Sequence, residues 1–422
     1  MKLSLKLLIG IILMGMISCS EKHEEPVLTA KDLLGNPEYM AISYGGYREI
    51  SRDVQPTSLQ LKEDMKLLNA MGVKLLRTYN VHLAQASNLL KAISELKEED
   101  PKFEMYVMLG AWIDCKNAWT ELEPDHTAES ERNAKEIGTA VELANKYPEI
   151  VKIIAVGNEA MVRWATSYYV QPKVILKWVN HLQELKKNGS LSKDLWITSS
   201  DDFSSWGGGD KSYHVPDLEA LVKAVDYVSM HTYPMHNSYY NPQFWIVPDN
   251  EKELSEQHKI ENGMNRAIQF AKNQYLSVSE YVKSIDSTKT IHIGESGWTT
   301  FDNNHYGDEG SKAADEYKAG TFYKLMREWT QKENISLFYF EAFDEQWKDA
   351  KNPKGSENHF GLINLKGEAK YAIWDLVDNG TFEGLTRDGK PISKTFEGKK
   401  EELMKFVMVP PATIEEFKPE TN

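Results

Sequence analysis

The stretch VKIIAVGNE, residues 151–159, is an apolar run that ends in a glycine, an amide and a carboxylate. A short run that is apolar on both faces is typical of a buried strand in a parallel sheet. The stretch IHIGESGW, residues 291–298, repeats this design, with a glycine directly before a glutamate. The two stretches predict strands of one parallel sheet with polar side chains at their carboxyl ends.

Eight such runs occur along the chain, and helical patterns lie between them. We predict strands over Tyr39–Tyr44, Val73–Tyr79, Glu104–Leu109, Val151–Val156, Leu195–Thr198, Ala224–His231, Thr290–Ile293 and Ser336–Phe340. Apolar residues at helical spacing predict helices over Leu59–Met71, Ser87–Leu96, Glu129–Lys146, Pro172–Lys187, Asn265–Ile285 and Lys312–Lys332. This alternation predicts an α/β fold, a (β/α)8 TIM barrel. A doubly wound sheet is the alternative; the eight-fold count and the lack of a glycine-rich phosphate turn in the sequence favour the barrel.

The domain organisation follows from length and linkers. A chain of 422 residues is long enough for one very large domain or two ordinary ones. No long Pro-, Gly- or Ser-rich linker divides its middle, so we assign residues 37–380 to one barrel domain. Residues 19–36 are expected to be a flexible tether, and residues 381–422 a small C-terminal extension and tail.

The first 18 residues resemble a bacterial lipoprotein signal peptide. Lys2 and Lys6 accompany an apolar run over Leu7–Ile17 that is too short to span a bilayer. Cys19 stands where cleavage is expected, so we predict that it becomes the lipidated first residue. The alternative is an ordinary cleaved signal with an incidental cysteine. We therefore expect an outer-membrane lipoprotein at the cell surface or facing the periplasm, touching the membrane through its lipid anchor only.

Composition limits the partners of this chain. A formal net charge of −14 repels phosphate backbones and argues against nucleic acid. Once the signal is removed and Cys19 is lipidated, Cys115 is the single free cysteine, so the fold has to hold without an internal disulfide. Cys115 has no Cys or His neighbour at metal-ligand spacing, and we expect no metal, no cofactor and a monomer.

Two glutamates are predicted to project from the mouth of the barrel. Glu159 follows the fourth strand and Glu295 the seventh, and catalytic groups of such barrels stand at the carboxyl ends of strands. Hydrolysis of a glycosidic bond needs one carboxylic acid to protonate the leaving oxygen and a second carboxylate to attack the anomeric carbon or activate water. A single strand-end glutamate is more often a surface charge, but the pair favours a glycosidase.

The motifs VGNE, residues 156–159, and GESGW, residues 294–298, resemble those of glycoside hydrolase family 17, the clan A β-1,3-glucanases. Further matches follow in order from Tyr39 to Trp374: SYGGYR at 43–48, LRTY at 76–79, MHTYP at 230–234 and FEAFDEQWK at 340–348. The resemblance implies a retaining hydrolase of β-1,3-glucan, of the laminarin type. It also implies that Glu159 is the acid/base, that Glu295 is the nucleophile and that no cofactor is needed.

The resemblance also implies a set of substrate-binding residues: Asn158, Tyr44, Tyr79, Tyr233, Trp298, Glu345, Lys348 and Arg77. We expect Asn158 to bind a sugar hydroxyl, Tyr233 to orient Glu295, and Arg77 to hold the carboxylates by charge-assisted hydrogen bonds. Tyr44 and Tyr79 are expected to line the subsite of the attacked sugar.

Other assignments near the mouth have alternatives. Glu345 and Lys348 are expected to pair and bind hydroxyls, with a structural salt bridge as the alternative. Four tryptophans are candidate platforms for stacking on sugar rings: Trp112, Trp206, Trp298 and Trp347.

Two other functions stay open from the sequence. The acceptor of the glycosyl group can be another glucan, which makes the enzyme a transglucosylase, or the chain can be a non-catalytic surface glycan-binding protein. Thr299 replaces a proline that is usual in plant members, and residues 235–262 are predicted to form an enlarged loop after the sixth strand. Endo or exo action is therefore left open.

Overall fold

Eight parallel strands close into a barrel in the computed structural model, which describes residues 28–417. The barrel strands are β1 (Met40–Ser43), β2 (Val73–Arg77), β3 (Tyr106–Ala111), β4 (Val151–Asn158), β5 (Trp196–Asp202), β6 (Val228–His231), β7 (Ile291–Gly297) and β8 (Leu337–Phe340). Each strand pairs with its neighbours in chain order, and β8 closes the barrel by pairing with β1. The predicted (β/α)8 barrel is confirmed.

Most of the helices follow barrel strands and pack around the barrel. They are α1 (Ala30–Leu33), α2 (Ser58–Ala70), α3 (Ala84–Glu99), α4 (Arg132–Lys146), α5 (Pro172–Lys187), α6 (Pro216–Ala224), α7 (Pro234–Tyr240), α8 (Glu256–Ile285), α9 (Glu316–Lys332), α10 (Trp374–Asp378) and α11 (Lys400–Met404). Pro172 opens α5 at a position where its missing N–H costs no hydrogen bond.

Two strand boundaries differ from the prediction in ways that affect the site. The sixth strand begins at Val228 rather than Ala224, because Ala224 ends α6, whose apolar residues run into the strand without a break in the sequence. Strands β4, β5 and β7 continue beyond their predicted ends because they remain paired into the polar mouth, as in the pair Asn158 and Ser200. Asn158 therefore ends β4, and Glu295 lies inside β7.

The amino-terminal end of the barrel is closed by a short helix. Ala30 and Leu33 of α1 are fully buried in a cluster that includes Leu75 and Phe338 from the barrel interior. The backbone N–H of Gly35 donates a hydrogen bond to Ser336 Oγ (2.9 Å). The expected flexible tether over residues 19–36 is thus wrong for residues 30–36, because their apolar side chains are needed to cover the base of the barrel.

The C-terminal extension packs along the outside of the barrel as far as residue 417. Its hairpin joins Thr386–Arg387 to Lys390–Pro391, and Arg387 enters a buried polar cluster. Arg387 Nε lies 3.2 Å from Asp64 Oδ1, and the guanidinium lies 4.1 Å above the Phe343 ring. Tyr44 donates to the other oxygen of Asp64 (2.9 Å). The hairpin therefore completes the hydrogen bonding of a buried carboxylate.

We expect Arg387→Ala to lower the free energy of unfolding by about 2 kcal/mol, because it removes a buried charge-assisted hydrogen bond while Arg48 still pairs with both oxygens of Asp64. Lys390→Ala, in the same hairpin but exposed, is the matched control. Denaturant-induced unfolding of both variants measures the effect. Equal stability of the two variants would contradict this role for Arg387.

The predicted signal peptide over residues 1–18 and the lipidation site Cys19 lie outside the described residues. Within residues 28–417, no helix is both long and apolar enough to cross a bilayer.

Candidate active site

Glu159 stands directly after β4 in a constrained backbone. Its φ of 45° lies in the left-handed region, which a glutamate rarely adopts, and its N–H donates to the carbonyl oxygen of Ser200 (2.9 Å). Gly157 is also left-handed, with φ 82°, and a Cβ there would lie 2.9 Å from the Cβ of Ala160. Strained backbone of this kind persists where the surrounding structure holds it, often at functional sites.

Glu295 projects from β7 into the same mouth, and both of its oxygens are held by hydrogen bonds. Tyr233 donates to Oε1 (2.6 Å), while Oε2 accepts from Tyr79 (3.1 Å) and from Arg77. The preceding residue is Gly294, where a Cβ would overlap the hydroxyl groups of neighbouring strands. Three donors thus fix the orientation of this carboxylate.

Arg77 links the ends of β2, β4 and β7. Its buried guanidinium donates to Gly294 O (2.8 Å) and Glu295 through Nη1, and to Asn158 Oδ1 through Nη2. Because the oxygen of the Asn158 amide accepts from Arg77, the Nδ2 group remains available to donate to another partner. The half-buried amide beside Glu159 is therefore pre-oriented as a donor.

His231, at the end of β6, lies between the two glutamates. Its Nδ1 is 3.0 Å from Glu159 Oε1, and its Nε2 is 4.0 Å from Glu295 Oε2 and 2.8 Å from Ser200 Oγ. A single imidazole ring therefore lies within 4.0 Å of both carboxylates, which places them close together at the barrel mouth. The side chains of Glu159 and Glu295 are 16% and 9% exposed, so both reach solvent at the mouth.

The environments of the two glutamates drive their protonation in opposite directions. Burial and the negative charge of Glu295 raise the pKa of the Glu159 carboxyl well above its ordinary value. Burial alone would raise the pKa of Glu295, but the charges of His231 and Arg77 and the hydrogen bond from Tyr233 hold it below its ordinary value. Because burial lowers the pKa of His231 to about 4, Arg77 and Tyr233 provide this stabilisation near neutral pH. These opposite shifts favour a protonated Glu159 beside an ionised Glu295.

Comparison with known proteins shows the family of this chain. Residues 41–361 match the BtgE/BtgC glycoside hydrolase domain. The chain belongs to the BtgE/BtgC glycoside hydrolase family. A solved endo-laminarinase from Formosa Hel1_33_131 is 64% identical, with a TM-score of 0.90 and coverage of 91% of this chain and 98% of that one.

Two more distant matches of this glycoside hydrolase are to fungal proteins. The "Probable glucan endo-1,3-beta-glucosidase btgC" of Aspergillus terreus (strain NIH 2624 / FGSC A1156) is 22% identical over 364 residues. The match covers 81% of this chain but 47% of the fungal protein, so the chain spans about half of that relative's length. The glycoside hydrolase family 17 beta-1,3-glucanosyltransferase from Rhizomucor miehei is 20% identical, with a TM-score of 0.53 over 79% of this chain and 96% of that one, and shares the fold.

Three expected sugar contacts of this glycoside hydrolase are wrong because the side chains are buried. Trp298 is fully buried, and its indole N–H donates to the Ala313 carbonyl (2.8 Å). Trp206 is also fully buried and donates to the Ser229 carbonyl (3.0 Å). Tyr44 is 1% exposed and its hydroxyl donates to Asp64, so it is not free to line a sugar subsite.

The expected role of Glu345 is also corrected. Its carboxylate is 1% exposed and accepts hydrogen bonds from the backbone N–H of Tyr47 (3.0 Å) and from Trp347 Nε1 (2.9 Å). Lys348 is bonded to Glu341 Oε2 (2.6 Å) and lies 3.8 Å from Glu345 Oε2. The stronger partner of Lys348 is thus Glu341, and Glu345 stabilises the loop after β1 instead of binding hydroxyls.

The other two candidate tryptophans keep part of their surface in contact with solvent. Trp112 and Trp347 are partly exposed, although the Arg52 guanidinium lies 4.2 Å above the Trp347 ring.

The sequence predicts His231 as a neutral residue at a strand end. It does not predict that the His231 ring lies close to both glutamates. The available signal was its place at the end of β6, two residues before the Tyr233 that donates to Glu295.

Metal binding finds no support among the described residues. Within residues 28–417, no group of three His, Cys, Asp or Glu side chains is arranged to hold a metal ion.

Proposed function

We propose that this chain is a retaining hydrolase of β-1,3-glucan, the glucan type of laminarin. The observation that carries the proposal is the placement of Glu159, whose pKa is raised, and Glu295, whose pKa is lowered, on either side of one imidazole ring at the barrel mouth. The 64% identity with a Formosa endo-laminarinase supports the choice of substrate. The motifs around both glutamates support placement in glycoside hydrolase family 17.

The mechanism follows from the protonation states. Glu159 donates its proton to the departing glycosidic oxygen while Glu295 attacks the anomeric carbon and forms a glycosyl-enzyme. Glu159, now ionised, takes a proton from water, which attacks the same carbon and releases the sugar with its original configuration. The Nδ2 group of Asn158 is placed to donate to a hydroxyl of the attacked sugar. Arg77 and Tyr233 keep Glu295 ionised and aimed during both steps.

Product analysis on linear laminari-oligosaccharides in oxygen-18 water tests the function. We expect shorter laminari-oligosaccharides, with oxygen-18 in the newly formed reducing ends and the β-anomer as the first product. Products longer than the substrate would favour a transglucosylase. Binding without any new reducing ends would favour a glycan-binding protein, and either result would contradict the proposal.

We expect Tyr233→Phe to lower kcat by about 10- to 100-fold, because a hydrogen bond to a charged group is lost while the ring remains. The same bond lowers the pKa of Glu295, so its removal raises that pKa. The acidic limb of the pH–rate profile therefore moves to higher pH. Tyr275→Phe, which removes a hydroxyl from the opposite end of β7, is the matched control and is expected to leave the profile in place. An unshifted limb in Tyr233→Phe would contradict the role of Tyr233.

We also propose that residues 1–18 are a lipoprotein signal, that Cys19 carries lipid, and that the enzyme is a monomer held at the outer membrane. The proposal rests on the basic start, the short apolar run and the cysteine that follows it. Metabolic labelling with palmitate is expected to mark the full chain and Cys115→Ala, but not Cys19→Ala. Label retained in Cys19→Ala would contradict lipidation at this position.

A further inference from the structure

Three aromatic rings form a cluster at the mouth, beside the loop that follows Glu159. The Tyr168 ring centroid lies 5.2 Å from that of Trp112 and 5.2 Å from that of Trp119. The planes of Trp119 and Tyr168 are inclined by 22°, so these two rings stack. Trp119 is 58% exposed, and the other two rings are partly exposed. We name these three residues the aromatic platform.

The aromatic platform adjoins the acid/base residue. Trp112 follows Ala111, which pairs with Val156 of β4, so it leaves the sheet beside the segment that carries Glu159. Tyr168 lies in the loop that follows Glu159. This loop folds back on itself, since the N–H of Val170 donates to the carbonyl oxygen of Ala160 (2.7 Å). Burial and the negative charge of Glu159 raise the pKa of Tyr168, which agrees with this closeness.

The loop that bears Trp119 is fixed by hydrogen bonds rather than left free. Arg132 Nη2 donates to Asp114 Oδ2 (2.9 Å) and to the carbonyl oxygen of Ala118 (3.0 Å). The N–H of Cys115 donates to Tyr168 O (3.0 Å), which ties the loop after β3 to the loop after β4. The platform is thus assembled before any ligand binds.

The backbone of Trp119 has an unfavourable conformation that packing of its side chain does not explain. Its φ of 62° lies in the left-handed region, which is unfavourable for a bulky side chain. More than half of its surface stays in water, so burial does not offset that cost. An exposed indole held rigidly in a strained backbone is a feature to be expected of a binding surface.

We propose that the aromatic platform is a subsite that stacks on a glucosyl unit of the leaving group. This inference rests on the proposed function. Glu159 protonates the leaving oxygen, so sugars next to its loop belong to the leaving group, the reducing-end side of the cut. The ligand is a neutral β-linked glucan chain, whose apolar C–H faces fit an aromatic ring while its hydroxyls stay in water.

Trp119→Ala in the full chain tests the proposal on end-labelled linear laminari-oligosaccharides of increasing length. We expect kcat/KM on the longer substrates to fall by about 10-fold, with the cleaved bond moving toward the reducing end, because occupation of the leaving-group side is no longer favoured. Trp119→Phe is expected to restore much of the wild-type pattern. Phe406→Ala, an exposed aromatic in the C-terminal extension, is the matched control and is expected to match the wild type.

The outcomes separate this inference from the proposed function. A wild-type enzyme that cleaves, together with an unchanged cleavage pattern in Trp119→Ala, would overturn the platform alone. Movement of the cut toward the non-reducing end would overturn its assignment to the leaving group. Absence of cleavage by the wild type would overturn the proposed function, and the platform with it. A thermal unfolding midpoint equal to that of the wild type shows that the variant is folded.

Discussion

Glu295→Gln is expected to lower the rate of laminarin hydrolysis by about 10⁴-fold or more, because an amide cannot form the glycosyl-enzyme. The substitution keeps the size of the side chain and its contact with Tyr233, so the fold is expected to persist. Release of reducing ends measures the rate, and thermal unfolding measures the stability.

A second glutamate outside the mouth provides the control for this variant. Glu316 is half-buried and accepts from the N–H of Tyr371 (2.7 Å), on the outer side of the barrel. Glu316→Gln is expected to keep the wild-type kcat even where it alters stability. Wild-type hydrolysis by a folded Glu295→Gln enzyme would show that another group is the nucleophile.

Glu159→Gln is expected to lower kcat/KM for laminari-oligosaccharides by about 10²- to 10⁴-fold, because the sugar leaving group departs without a proton. An aryl glycoside with a nitrophenolate leaving group needs no such proton, so glycosylation by that substrate is expected to fall far less. The ratio of the two losses is the measurement. Equal losses on both substrates would contradict the acid role of Glu159.

The pH dependence adds a second readout for Glu159. Burial and the charge of Glu295 raise its pKa, so the acid keeps its proton up to that raised value. Activity is expected to fall as the pH rises through the pKa of Glu159, and to fall as the pH drops through the pKa of Glu295. With the activated aryl substrate, Glu159→Gln is expected to lose the alkaline limb in the glycosylation step. A persisting alkaline limb would assign that titration to another group.

The positions of both glutamates are predictable from sequence because the pattern is local. An apolar run followed by glycine and a carboxylate predicts a strand end, and the topology of a barrel brings such ends together. The eight strands are predictable for the same reason. The prediction does not depend on knowing which loops contact each other.

The orientation of other side chains near the site depends on contacts between distant segments, and the sequence alone does not predict it. Tyr44 is the first residue after β1 and turns toward Asp64 of α2, whereas Tyr79 is the second residue after β2 and reaches Glu295. Trp298 follows Glu295 by three residues, but its indole points outward to a carbonyl on a later loop. A residue's distance in sequence from a catalytic motif does not say which way its side chain points.

The aromatic platform has no periodic signal in the sequence either. Trp119 lies in a turn with a left-handed backbone, and it meets Tyr168 because a backbone hydrogen bond joins two loops. Neither feature follows from hydrophobic periodicity. The residues that shape the groove are thus set by tertiary packing, while those that perform the chemistry follow from local sequence.

Trapping of the glycosyl-enzyme tests the central claim most directly. A 2-deoxy-2-fluoro laminaribiosyl fluoride forms the covalent intermediate and slows its hydrolysis, and peptide mass spectrometry then locates the sugar. We predict that it is attached to Glu295, within the tryptic peptide of residues 290–312. A sugar attached to any other residue, or turnover of laminarin by an enzyme that never becomes labelled, would contradict the account.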